Sequence, residues 1–164
     1  MNMVRMVQPS DAPRIAEIYN YYIENTVITF EEEKVSKQDI EQRIQKILKK
    51  GFPYIVYEKG GKVIGYAYVN NWRERSAYDI TLENSIYVDR YETQQGIGSL
   101  LFTRLIQESV KINIHSLIGV ISLPNEPSRK LHNKFGFKLI GNFKESGKKF
   151  NKLIDVEFWQ FIFD

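Results

Sequence analysis

Apolar residues recur along this chain at two alternating spacings, and the switches between them predict its elements. Residues 3–8 read as a first strand, after which Ser10 and Asp11 offer caps and Pro13 suits the first turn of a helix. Ile15, Ile18, Tyr19, Tyr22 and Ile23 then fall at helical spacing. Ser36 followed three residues later by Asp39 resembles a capping box. It predicts a second helix with Ile40, Ile44, Ile47 and Leu48 on one face, ended by Gly51 and Pro53. These two helices are expected to cover one side of a sheet.

Residues 54–58 and 63–69 are separated by Lys59, Gly60, Gly61 and Lys62, which predicts a hairpin. A third strand is expected over 78–88, after a polar, aromatic loop containing Trp72, Arg73, Glu74 and Arg75. A helix follows Gly98, with Leu101, Leu105 and Ile112 on one face together with Ile97, and 117–122 reads as a buried strand beyond it. Asn125, Pro127 and Ser128 open a shorter helix that ends at Phe135 and Gly136. Two final strands are expected over 138–143 and 154–161. No repeat or low-complexity linker interrupts the pattern, so residues 1–164 are expected to form a single domain.

Composition narrows the chemistry. The 164 residues are 43% hydrophobic and 13% aromatic, ample for one sizeable core. A net charge of +3, from 23 basic and 20 acidic residues, argues against nucleic-acid binding. The basic cluster of Lys144, Lys148, Lys149 and Lys152 is interrupted by Glu145 and Gly147; it reads as a solvated strand and turn, or as an aid in attracting an anion. There is no cysteine, which removes disulfides, thiolate zinc sites and a cysteine acyl-enzyme. No Gly-x-Ser-x-Gly elbow supplies a serine nucleophile, so any group transfer is expected to be direct. No metal is expected. No apolar run approaches the ~20 residues that span a bilayer. The expectation is a soluble, cytoplasmic protein with no membrane partner.

One segment carries a ligand signal. Gln95, Gly96, Ile97, Gly98, Ser99 and Leu100 lie between a strand ending at Val88 and the start of a helix. Two readings fit: a tight turn, or a cradle in which the free amides of a helix start hold an anion. The loop lacks the Lys-Ser or Lys-Thr of a Walker motif, and Leu101 stands where a dinucleotide fingerprint has its third glycine.

Several ordered segments together resemble the GNAT acyltransferase superfamily, and within it the phosphinothricin N-acetyltransferase-like branch. They are residues 72–78, 83–88, 95–99, 123–136 and 155–160, so the resemblance covers nearly the full length. It implies an α+β GNAT fold: a central, mostly antiparallel sheet of about seven strands with a splayed parallel pair, flanked by about four helices. It implies acetyl coenzyme A as co-substrate, its pyrophosphate gripped by backbone amides of Gln94, Gln95, Gly96, Ile97, Gly98 and Ser99. The family commonly has Arg or Gln three residues before the first glycine, where this chain has Thr93. A side-chain phosphate contact is therefore not expected at 93. Ile86, Tyr87 and Val88 would line the pantetheine arm, with an amide at 87 or 88 polarising the acyl carbonyl.

The resemblance gives chemical roles to residues that also have structural readings. Glu83, in the segment Glu-Asn-Ser-Ile-Tyr-Val, matches the family's carboxylate and would act as general base toward the amine; by residue type alone it is a strand glutamate in a salt bridge. Five residues separate it from Val88, which puts the two side chains on opposite faces unless a bulge intervenes. His132 matches a family histidine near the thioester and would assist the departing thiolate, though a lone helical histidine usually packs or faces solvent. Asn125 and Ser128 are helix caps, contacts to the cofactor, or both. Phe30, Arg75 and Tyr78 match positions contacting an amino-acid-like acceptor, with Arg75 able to take a carboxylate two-pronged. His115 reads as a partner of a helix C-terminus.

The leading expectation is thus an N-acetyltransferase acting on a small amino acid or analogue of the phosphinothricin, methionine sulfone or sulfoximine type. A catalytically idle acyl coenzyme A sensing module is the first alternative. The same enzyme with a protein N-terminus, polyamine or aminoglycoside as acceptor is the second. The family is often a homodimer, and the aromatic run Phe158, Trp159, Phe161 and Phe163 offers either an apolar contact or a core strand.

Overall fold

A computed structural model describes residues 2–164. Seven strands form a mixed sheet in the order β1-β2-β3-β4-β5-β7-β6, with one parallel pair, and four α-helices complete the mixed α/β architecture. The chain forms two compact units, each from three segments, and β4 contributes to both.

The first unit comprises the chain up to Tyr21, Val35–Asn70 and Ser85–Asn113. It holds β1 (Asn2–Met6), most of α1 (Ala12–Asn25), α2 (Lys37–Lys49), β2 (Tyr54–Lys59) and nearly all of β3 (Lys62–Asn71). The last half of β4 (Thr81–Val88) and α3 (Ile97–Val110) complete it. The capping box at α2 forms in full: Asp39 N donates to Ser36 Oγ at 3.1 Å and Ser36 N to Asp39 Oδ2 at 2.7 Å. Ile40, Ile44 and Ile47 then share one buried face. β2 and β3 make the expected antiparallel hairpin, with a bulge between Tyr57 and Glu58. Tyr54 stacks across it on Tyr68 at 4.9 Å and on Tyr66 at 6.1 Å. Arg5 ties β1 to the turn before α1 through Asp11 at 2.8 Å and to Glu58 at 2.7 Å.

The second unit comprises Tyr22–Lys34, Asn71–Asn84 and Ile114–Asp164. It contains the first half of β4, then β5 (Ser116–Ser122), α4 (Glu126–Lys134), β6 (Lys138–Lys149) and β7 (Lys152–Ile162). β4 pairs with β5 in parallel from Thr81 with Ser116 to Asn84 with Gly119. β7 lies antiparallel to β5 and to β6. Leu82, Leu117, Ile121, Phe137, Val156 and Trp159 form its buried centre.

Several boundaries differ from the sequence expectation. β1 stops at Met6, and β4 starts at Thr81 because Ser76–Tyr78 winds into a 3-10 turn closed by Tyr78 N to Arg75 O and Asp79 N to Ser76 O. α3 ends at Val110, so Ile112 is not on its face and His115, five residues later, is not its C-terminal partner. His115 instead donates its backbone N–H to Ile80 O and accepts from Phe163 N. The last hairpin is longer than expected. Lys149, read as solvated, is buried.

Candidate active site

Alternation along β4 separates its neighbours: Leu82 and Asn84 are buried, while Glu83 is half-buried on the opposite face. The Glu83 carboxylate makes no ion pair or side-chain hydrogen bond with any described residue, so the salt-bridge reading does not hold. Burial alone pushes its pKa above the ordinary glutamate value. A carboxyl in this state accepts a proton more readily near neutral pH than a solvated one does.

The other face of β4 carries a buried polar chain. Asn84, 6% exposed, places its amide nitrogen 2.9 Å from His132 Nε2. His132 Nδ1 lies 2.8 Å from the backbone oxygen of Ser128 and 3.3 Å from Ser128 Oγ. A carbonyl oxygen only accepts, so Nδ1 carries the proton, and Nε2 accepts from Asn84. Burial lowers the His132 pKa, against the opposing pull of the Ser128 carbonyl, and so favours the neutral ring. Its single N–H is committed to its own helix. The geometry therefore does not carry the acid role that the resemblance implied.

The imidazole rests on β5 at Gly119, where a β-carbon would stand 2.4 Å from Nε2. Phe137 meets the ring edge-on at 4.9 Å. The Asn84 side-chain oxygen is buried with no hydrogen-bond partner among the described residues. Neither Asn84 nor Gly119 was singled out from the sequence. The available signal was a glycine inside a buried apolar strand, which marks close approach of another group.

α4 is capped by Asn125, whose side-chain oxygen accepts from Ser128 N at 3.2 Å. Asn125 is thus the cap, and Ser128 supplies the amide it caps while its hydroxyl faces His132 Nδ1. Arg75 precedes the 3-10 turn and is exposed, with no partner for its guanidinium among the described residues. Tyr78 meets Trp72 edge-on at 5.4 Å. Phe30 is 43% exposed and lies over Gly147.

In the first unit, Gln94 and Gly96 both have positive φ, 64° and 77°, and Gly96 is the N-cap of α3. The start of α3 leaves the amides of 97 and 98 without intrahelical acceptors. Left-handed residues leading into such a start form an anion-accepting concavity, which fits a pyrophosphate in the chemistry of its donors. Tyr87 packs edge-on against Tyr19 at 5.1 Å and stacks on Tyr66 at 5.4 Å. Among the described residues no cluster of three His, Cys, Asp or Glu could hold a metal, and no helix is long and apolar enough to cross a membrane.

A family model described as an acetyltransferase (GNAT) domain matches residues 4–158. Phosphinothricin N-acetyltransferase of Streptomyces viridochromogenes is 34% identical over 157 residues, covering 96% of this chain and 85% of that protein. The L-methionine sulfoximine/L-methionine sulfone acetyltransferase of Salmonella typhimurium is 30% identical over 166 residues, covering 98% and 94%. Among solved structures, a GNAT superfamily phosphinothricin acetyltransferase from Sinorhizobium meliloti in complex with acetyl coenzyme A is similar at a TM-score of 0.95. It is 33% identical, with 98% of this chain and 88% of that one covered.

Proposed function

The chain belongs to the GNAT acetyltransferase family, and from that premise we propose that it moves an acetyl group from acetyl coenzyme A directly to the amine of a small amino acid or analogue. Phosphinothricin, methionine sulfone and methionine sulfoximine are the acceptors we expect, since relatives bear those names. Acetyl coenzyme A would supply the activated acyl thioester. The backbone amides of 94–99 would hold its pyrophosphate, Asn125 and Ser128 its arm, and the β4 backbone at Ile86, Tyr87 and Val88 its acyl end. Arg75 would take the acceptor's carboxylate, with Phe30 and Tyr78 beside the side chain.

The observation that carries this reading is Glu83, a half-buried carboxyl with no ion-pair or side-chain hydrogen-bond partner among the described residues and a raised pKa. An amine attacks only after losing a proton. Glu83 would accept that proton, directly or through water. His132 enters as a neutral lock on Asn84 rather than as a proton donor. We also propose a cytoplasmic homodimer built from a single domain, supported by the exposed apolar residues Leu139, Ile140, Phe143, Phe150 and Leu153 of the β6–β7 hairpin and the turn joining its strands.

The test is thiol release over a panel of amino acids, their sulfone, sulfoximine and phosphinate analogues, and polyamines. Glu83→Gln is expected to lower kcat on the order of 10²–10⁴-fold, the usual worth of a general base, while calorimetry still detects acetyl coenzyme A binding. Unchanged turnover at several pH values rejects the base. Cofactor binding without thiol release on any amine supports the idle sensing module instead.

A further inference from the structure

Lys149 ends β6 at 1% exposure, a rare place for an ammonium group. Its Nζ donates to the backbone oxygen of Thr29 at 2.7 Å and stands 5.0 Å from the centroid of the Phe150 ring. Burial lowers its pKa, and the negative charges of Glu32 and Glu31 oppose that shift. Two residues earlier, a β-carbon at Gly147 would lie 2.3 Å from Cζ and 2.4 Å from Cε2 of Phe30. The ring can occupy its place only because residue 147 has no side chain.

Both contacts from the hairpin land on adjacent residues of one irregular segment. Thr29 is buried and held by its backbone oxygen, while the next residue, Phe30, is 43% exposed. Within the segment, Thr29 Oγ1 accepts from Glu31 N at 3.2 Å. The β6–β7 register shifts between Phe143 and Gly147, and Glu145 takes a φ of 52°, so the hairpin leaves regular pairing just before it reaches the ring. Burying an ammonium for one backbone acceptor is a costly way to fill this space, and an apolar side chain of equal volume would fill it at lower cost but could not hold the Thr29 carbonyl. The arrangement makes sense where the loop's position matters more than its stability.

We propose that Gly147 and Lys149 are positioning residues for the acceptor loop, holding Thr29 and the Phe30 ring and thereby setting which amine side chains the enzyme accepts. The proposal rests on Phe30 being an acceptor contact, as in the reading above. Phosphinothricin and methionine sulfoximine both carry two methylenes between the α-carbon and a tetrahedral polar head. A ring face held at fixed position suits that apolar stem, and an acceptor with a short side chain gains nothing from it.

Steady-state rates for the unmutated protein, Gly147→Ala and Lys149→Met are measured with phosphinothricin, methionine sulfoximine and serine. The KM for the two stem-bearing acceptors is expected to rise about tenfold, the size of one lost interaction. The KM for acetyl coenzyme A, the kcat and the serine KM stay within about threefold, because uniform binding energy alone is removed. In a Phe30→Ala background, Gly147→Ala no longer changes the acceptor KM, since the two residues act as a pair. A cofactor KM that rises in step, or a Gly147→Ala penalty that persists without the ring, overturns the proposal. No turnover by the unmutated protein on any acceptor overturns the acceptor reading and the specificity claim with it. Hydrogen exchange at amides 26–31, faster in both variants if the clamp exists and unchanged if it does not, separates that failure from the failure of the clamp.

Discussion

Glu83 and Asp11 sit at opposite ends of the same linkage. Burial raises the Glu83 pKa, so the contribution of the protonated group is fully present below the unfolded value of about 4.3 and is lost as pH rises through the higher folded value. Asp11 is also pushed up by burial, but the Arg5 hydrogen bonds, the Gln8 amide and the Arg5 charge outweigh this and leave it lowered. Its contribution is present above the unfolded pKa and lost as pH falls. Glu83→Gln is therefore expected to match the unmutated protein in urea unfolding at pH 4 and to become the more stable of the two by pH 8. Asp11→Asn is expected to cost most at pH 8 and least near pH 3. A Glu83→Gln gain that does not grow between pH 4 and pH 8 sinks the desolvation argument. The candidate base was legible because it sits in a short ordered motif. Its lack of a partner was not, since that depends on what the rest of the fold leaves beside it.

Elements whose signals are local were read well, and those set by tertiary contacts were not. The box at Ser36 and Asp39, the cap at Asn125 and the β2–β3 hairpin each need only a few neighbouring residues, and all formed as expected. The start of β4 was misplaced because Ala77 and Tyr78 suit a strand as well as a 3-10 turn, and hydrogen bonds back to Arg75 and Ser76 decide between them. Lys149 was misread because nothing near it in sequence announces Thr29, 120 residues away. The seating of α4 on β5 belongs to this second kind. Gly119→Ala would place a β-carbon 2.4 Å from His132 Nε2, and the nearest atoms belong to a ring held at both nitrogens. The expected cost is roughly 1–3 kcal/mol of unfolding free energy, the usual penalty of overpacking. Nitrogen NMR of His132 reads the same event: the Nε2 resonance of a hydrogen-bonded acceptor is lost on Gly119→Ala. A variant with unaltered stability and an unaltered imidazole spectrum rules out this account.

At the scale of the whole chain, the number and kinds of elements followed from periodicity, but the order of strands did not. Sequence order runs β5, β6, β7, whereas the sheet runs β5-β7-β6, which makes the penultimate strand an edge. That insertion places the aromatic run of the final strand between β5 and β6. Trp159 is buried, donating from Nε1 to the buried Glu157 at 2.9 Å, so it is core. The exposed apolar side chains lie instead at Leu139, Ile140 and Phe143 of β6, Phe150 in the turn and Leu153 of β7. An edge strand with exposed apolar residues invites pairing unless something covers it, and a second copy covers it if about 800 Å² per partner is buried. Sedimentation velocity at micromolar concentration is then expected to give twice the chain mass. Ile140→Lys combined with Phe143→Lys should bring the value down to the chain mass, because two charges on that edge oppose both strand pairing and apolar contact. Both positions are exposed and neither belongs to the candidate site, so acetyl coenzyme A binding should survive the change. A dimer that persists with both lysines in place excludes this edge as the interface, and a monomeric unmutated protein excludes the dimer itself.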